Sequence, residues 1–146
     1  MQIDTSRFGP VSIEADDILL FPCGLIAFEQ CRHWVLLADA DNPALGWLQS
    51  VTDPEIAVAV VSPRRFVPEY RLRLSRGQLL PLELSHFNRA FVLTLVSKAD
   101  SLLTVNLKAP LVINLDRRLG RQVVATDDQP LSFELSQPAR ALRRIA

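Results

Sequence analysis

Apolar residues in this chain come in short runs rich in Val, Ile, Leu, Phe and Thr, and Pro, Gly, Asn and Asp separate one run from the next. Runs of that length between turn residues are the pattern of strands in a meandering antiparallel protein, not of helices. Read in order, the strand segments are Gln2–Thr5, 11–13, 18–21, 34–37, 46–51, 56–62, 70–74, 91–97, 104–107, Leu111–Asn114 and 122–125. Phe8-Gly9-Pro10 reads as a hairpin turn, since Gly can take positive φ and Pro fixes its own φ. Residues 39–43 and 53–55 read as further turns, and 117–120 as the closure of the last hairpin. Residues 56–61 are apolar without alternation, which predicts a central strand buried on both faces. Residues 70–74 alternate basic and apolar, which predicts one wet face.

Helical signals are few. Over residues 75–86 Ser75 is placed to cap a short turn and Pro81 to interrupt a long one, so a turn or two is expected there. From residue 132 onward Ala139, Leu142 and Ile145 recur at helical spacing beside Arg140, Arg143 and Arg144, predicting a short basic helix or tail. The chain therefore divides into an all-β domain over residues 1–130, a single antiparallel barrel-like fold with at most short helical turns, and a basic segment over 131–146. A closed or nearly closed barrel leaves few strand edges exposed.

With 146 residues, 49% of them apolar, the chain has the means to build one core. Sixteen basic and sixteen acidic side chains cancel, so no whole-molecule field draws in nucleic acid or an anionic membrane. No apolar run approaches the roughly 20 residues that cross a bilayer as a helix. The opening MQIDTSRFG lacks a basic region followed by an apolar one, which predicts a cytoplasmic protein.

The motifs of catalysis are missing. There is no G-x-G-x-x-G, no G-x-x-x-x-G-K-[ST] and no G-x-S-x-G, and the two histidines, His33 and His86, leave no basis for assembling a triad. Cys23, Cys31 and His33 carry zinc-binding atoms, but structural zinc sites space cysteines two to four residues apart, so ordinary packing is the expected role. Asp16-Asp17, Asp39 with Asp41, and Asp127-Asp128 all fall in turns, where aspartate serves the backbone. Arginines gather at 64–65, 71–76, 117–121 and 140–144 without the interleaved aromatics of a base-stacking platform. Trp34 and Trp47 read as core or barrel-rim residues, with a binding role for whichever is partly exposed. Gln49 shares a strand face with Trp47 and Val51, so its amide is either part of a buried network or a surface contact.

One stretch, TVNLKAPLVIN at 104–114, sets two asparagines and a lysine inside a strand pattern. Either the asparagines satisfy backbone groups at strand ends and bends, or they meet a partner. This stretch, with FPCGLIAFE at 21–29, WLQSVTDPEIAVAVVSP at 47–63 and RLGRQVV at 118–124, resembles the flagellar assembly factor FliW family. The resemblance runs from residue 2 to about 130, with Ala27 standing where the family usually has glycine. It implies a barrel without catalytic activity, cofactor or metal that acts in flagellum biogenesis as a chaperone-like binder of flagellin. It also implies binding to the translational regulator CsrA, which the factor antagonises once flagellin has been secreted. No membrane or direct nucleic-acid partner is implied, and the expected state is a monomer. Polar positions inside the matched motifs that no core role demands are the candidate contacts: Gln49, Asp53, Glu55, Asn106 and Lys108. A barrel that binds RNA through its arginine clusters is the alternative, and a steep salt dependence of RNA affinity would mark it.

Overall fold

The structure is a computed structural model that describes residues 1–84, 90–99 and 102–135. Eleven strands are present among these residues: β1 (Gln2–Thr5), β2 (Gly9–Ser12), β3 (Ile18–Leu20), β4 (His33–Ala38), β5 (Leu45–Ser50), β6 (Ala57–Val61), β7 (Phe91–Ala99), β8 (Leu102–Val105), β9 (Leu111–Asn114), β10 (Leu119–Gln122) and β11 (Phe133–Glu134). Strands β3 to β7 form an antiparallel meander, β10 lies between β3 and β9, and β9 pairs with β7. The ring β7-β6-β5-β4-β3-β10-β9 is thereby closed, as the sequence pattern predicts. One of its seams is parallel, with Leu119 opposite Leu20.

Closure depends on β7 having nine residues. Its first part pairs with β9, from Phe91 opposite Ile113 to Leu93 opposite Leu111, while its far half, from Val96 to Ala99, pairs with β8 outside the ring. β11 then joins the outer edge of β8.

Alternation sorts the side chains. Trp34, Leu48, Val60, Leu93, Leu111 and Ile113 point into the barrel, where Leu19, Phe21, Leu25 and Cys31 complete the packing. Their neighbours point outward, yet most are covered too. Leu45, Trp47, Ala59 and Val61 pack on the outer wall against Tyr70, Val105, Leu107 and Leu135. This outer layer is why β6 carries no polar residue in its sequence AVAVV. The β1–β2 hairpin covers Val35 with Ile3 and Ile13, and Leu82 covers Val112 and Val123.

Ser75 caps a single helical turn, α1 (Arg76–Leu79), in a reciprocal box with Gln78: the Gln78 amide nitrogen donates to Ser75 Oγ and the Ser75 amide nitrogen to Gln78 Oε1. Pro81 lies in the 3₁₀ turn that follows, Leu80–Leu82.

Five segments differ from the sequence reading, the first being the hairpin turn, which spans residues 6–8, so that Gly9 and Pro10 already pair in β2 with Thr5 and Asp4. Residues 70–74 show the expected burial alternation, with Tyr70 buried and Arg71 and Arg73 exposed, but pair with no strand. Their carbonyls are taken by other groups: Arg64 Nε donates to Tyr70 O at 3.1 Å, Gln129 Nε2 to Arg71 O at 2.8 Å, and the Thr126 amide and hydroxyl both to Arg73 O at 3.0 Å. The last hairpin strand starts at Leu119, not at residue 122, because the chain turns over 115–118 with Arg118 at φ +55°. β8 ends at Val105 because Asn106 bends the chain. Phe133–Glu134, placed beyond the domain by the sequence reading, is a strand on β8, and Leu135 is buried in the outer core. The helical spacing at Ala139, Leu142 and Ile145, with its arginines, lies outside the described residues, as does His86.

Tyr70 ties the outer layer to the 106–110 loop by donating from Oη to Leu107 O at 2.8 Å. Burial, with the Asp127 carboxylate as the second cause, pushes its phenol up to about 12 from 10. A folded pKa above the unfolded one gives stability that is whole below pH 10 and lost as the pH rises through 12. Stability is therefore expected to fall by up to about 2 kcal/mol across that window. Tyr70→Phe is expected to cost about 1 kcal/mol at neutral pH and to flatten the alkaline decline. Urea unfolding at stepped pH reads both, and because Tyr70 is the one tyrosine in the chain, tyrosinate absorbance follows its titration directly.

Candidate functional site: two polar loops on the barrel

Gln49 lies on β5 on the outward face with Trp47, yet it is fully buried because the 51–56 turn folds over it. Its Nε2 faces four carbonyls: Ser50 O at 3.0 Å, Ile56 O at 3.1 Å, Asp53 O at 3.3 Å and Pro54 O at 3.4 Å. Of the two roles open to the amide from sequence, the structure assigns the buried network. Gln49 has no surface to offer a partner. Its Oε1 is buried and has no hydrogen-bond partner among the described residues, and Nε2 has two N–H bonds to share among the four carbonyls.

Above it the turn is braced throughout. Ser50 Oγ accepts from the Asp53 amide at 3.0 Å, and Asp53 Oδ1 accepts from the Glu55 amide at 3.0 Å. The Ser6 amide donates to Pro54 O at 2.9 Å, which ties the β1–β2 turn to this one. Beside that contact Phe8 packs edge-on against Trp47 at 5.9 Å between centroids, and the Arg7 guanidinium lies 4.2 Å from the Trp47 ring centre. The outcome is a rigid acidic knuckle with Glu55 exposed and Asp53 half-buried. Ser50, which lies in the 47–63 motif but was not among the candidate contacts, braces it as Gln49 does.

Asn106 and Lys108 stand on a different loop, and no described hydrogen bond joins the two sets. Asn106 Oδ1 accepts from the amides of Lys108 and Ala109, both at 3.0 Å, so its side chain makes the bend between β8 and β9. Lys108 Nζ donates to Asp127 O at 2.6 Å. Asn114 does similar work at the far end of β9, donating from Nδ2 to Leu82 O at 2.9 Å and accepting from the Arg117 amide at 3.3 Å. The polar residues in TVNLKAPLVIN thus serve the backbone: two asparagines close bends and the lysine pins the 127–130 segment. The Asp127 carboxyl is held below the usual range chiefly by the Gln129 side chain, and also by hydrogen bonds from the backbone amides of Asp127 and Arg73 and by the Arg73 charge.

No grouping of three His, Cys, Asp or Glu placed to hold a metal occurs among the described residues. Cys31 is buried in the barrel, where its carbonyl accepts from Trp34 Nε1 at 2.9 Å, and Cys23 is exposed. Neither tryptophan is a partly exposed rim residue: Trp34 lies inside the barrel, and Trp47 is buried with its Nε1 donating to Asp39 Oδ1 at 3.1 Å. No helix is long and apolar enough to cross a membrane among the described residues.

The profile of the FliW protein family matches residues 2–135. The chain belongs to the FliW family. A flagellar assembly factor FliW of Bdellovibrio bacteriovorus is 38% identical over 144 residues, covering 94% of this chain and 82% of the relative. One from Natranaerobius thermophilus is 35% identical over 127 residues, covering 85% and 84%. The crystal structure of a flagellar assembly factor FliW superposes with a TM-score of 0.84 at 28% identity, over 94% of this chain and 98% of that one. Ala27 has a φ of +77°, a left-handed backbone that glycine adopts freely and an alanine side chain disfavours.

Proposed function

We propose that this FliW-family protein binds flagellin and the translational regulator CsrA in the cytoplasm, and that its release from secreted flagellin frees it to antagonise CsrA and restore flagellin translation. The family match across the barrel, from residue 2 to 135, carries this reading. The protein is a binding partner and not a catalyst. Switching needs only that each partner weakens the other, and a coupling of about 2 kcal/mol, roughly thirtyfold in affinity, redistributes occupancy over a cellular concentration range.

The acidic knuckle is the contact this reading favours of the five polar candidates, because Glu55 is exposed and the turn is already ordered, so binding spends little on fixing it. Asp53→Arg with Glu55→Arg is expected to weaken at least one partner about tenfold while leaving the melting temperature within a few degrees. Asp53→Asn with Glu55→Gln, which keeps acceptor atoms at both positions, separates lost charge from lost turn. Calorimetric titration with flagellin and with CsrA, each alone and each in the presence of the other, tests the whole scheme. Binding to both with mutual weakening establishes it. Binding to neither, with salt-steep affinity for RNA instead, replaces it with the arginine-cluster alternative.

A further inference from the structure

At the end of β6 away from the acidic knuckle, the chain makes a 3₁₀ turn, Pro63–Arg65, anchored by the buried Pro63. Its two arginines are exposed and part to either side. Arg64 lines a cavity of about 310 Å³ walled by Tyr70, Leu72, Phe91 and Val92. Arg65 lines a second of about 340 Å³ walled by Leu36, Ala38, Leu45, Phe91 and Leu93. Ser62 and Phe91 belong to both, so the cavities are neighbours across one aromatic wall.

The charge on this face is one-sided. In each cavity the single charged residue among the described lining is an arginine. Arg64, which is exposed, donates Nε to Tyr70 O, and the ion pairs among the described residues, Arg117 with Glu83 and Arg118 with Asp16, involve neither arginine. Asp39, next to Ala38 in the chain, accepts through one carboxylate oxygen from the Asp41 and Asn42 amides and through the other from Trp47 Nε1 on β5.

We infer that this face docks an acidic segment of a partner protein, its carboxylates on Arg64 and Arg65 and its apolar side chains in the two cavities. The inference rests on the protein-binding function proposed above and assigns it a second surface. Guanidinium groups pair carboxylates bidentately, and preformed apolar pockets flanking a charged anchor are the usual make-up of an interface centre. Two arginines between aliphatic walls are too few cations for a nucleic-acid track, which neutralises many phosphates in succession.

The test is calorimetric titration of flagellin and of CsrA into wild type, Arg65→Glu, Arg64→Glu/Arg65→Glu, and Arg32→Glu, an exposed charge reversal at the other end of β4. Arg65→Glu removes no described hydrogen bond, and a thermal melt confirms that each variant folds. At least one partner is expected to bind Arg65→Glu tenfold more weakly and the double variant more weakly still, with the deficit shrinking at high salt and Arg32→Glu unaffected. Wild-type affinity in both variants, within twofold, overturns the inference while leaving the proposed function standing. An equal loss in Arg32→Glu overturns it as general electrostatics, and an RNA oligonucleotide that binds wild type and not Arg65→Glu reassigns the face to nucleic acid. Failure of wild type to bind either protein removes the proposed function and this surface with it.

Discussion

Gly120→Ala is expected to lower stability by about 3 kcal/mol and the melting temperature by roughly 10 °C. Gly120 lies on β10 opposite Ile113 and faces the barrel interior, where a Cβ would collide with the far edge of the Phe21 ring, at Cζ and both Cε atoms. Phe21 is fully buried, so the ring has no vacant volume to enter. The missing side chain of one strand is filled by the large side chain of another. Phe21→Leu alone is expected to cost about 1.5 kcal/mol through lost packing, and the double variant to cost clearly less than the sum, since the smaller side chain makes room for the new methyl. Urea unfolding of the four proteins closes the cycle. Strict additivity would mean that Phe21 is not what Gly120 accommodates.

Gly24→Ala is expected to be at least as damaging, about 3 kcal/mol or more, for a different reason. Here φ is +66°, and the added Cβ would lie 2.6 Å from Glu29 Cα, Glu29 O and Phe28 O. These are backbone atoms of the next turn, which cannot swing aside as a side chain can. Ala27, three residues on in the same loop, supplies the contrast: it is exposed, sits at φ +77° and donates its amide to Glu29 Oε2 at 2.8 Å. Ala27→Gly is expected to raise stability by about 1 kcal/mol by relieving the left-handed strain. Opposite signs for glycine and alanine at two positions of one loop, read by thermal unfolding, would locate the strain in the backbone. A neutral Gly24→Ala would mean that the 24–29 turn is looser than described.

The surroundings of the polar side chains were less legible than the barrel. Polar residues in matched motifs looked available because their type is costly to bury, but cost is decided by what faces them. Gln49 faces four carbonyls and is therefore at home in the interior. Asn106 has backbone amides two and three residues ahead, so its polarity is spent locally. On the 51–56 turn Glu55 is exposed, while Asp53 is half-buried and accepts from the Glu55 amide. Arg64 and Arg65 read as one more arginine cluster without aromatics, because nothing in PRR says that a cavity opens on each side of it.

Local chemistry carried what the sequence determined by itself. Alternation and turn residues specify a strand such as Gln2–Thr5 or Leu111–Asn114 to the residue, and Ser75 marks the start of the short α-helical turn, because each depends on neighbours within a few positions. The absence of catalytic motifs and the FliW resemblance are likewise properties of the string. The tertiary structure alone decided which strands close the ring, since β7 skips its chain neighbour β8 to pair with β9 and the β3–β10 seam joins Leu20 to Leu119 across most of the chain. It also decided that 70–74 stays unpaired although its pattern is that of a strand: periodicity reports which side chains are buried, whereas a ladder needs a partner edge, and loop groups had already taken those carbonyls. Burial patterns are written along the chain, but hydrogen-bond partners and cavities belong to surfaces that meet only when the chain has folded.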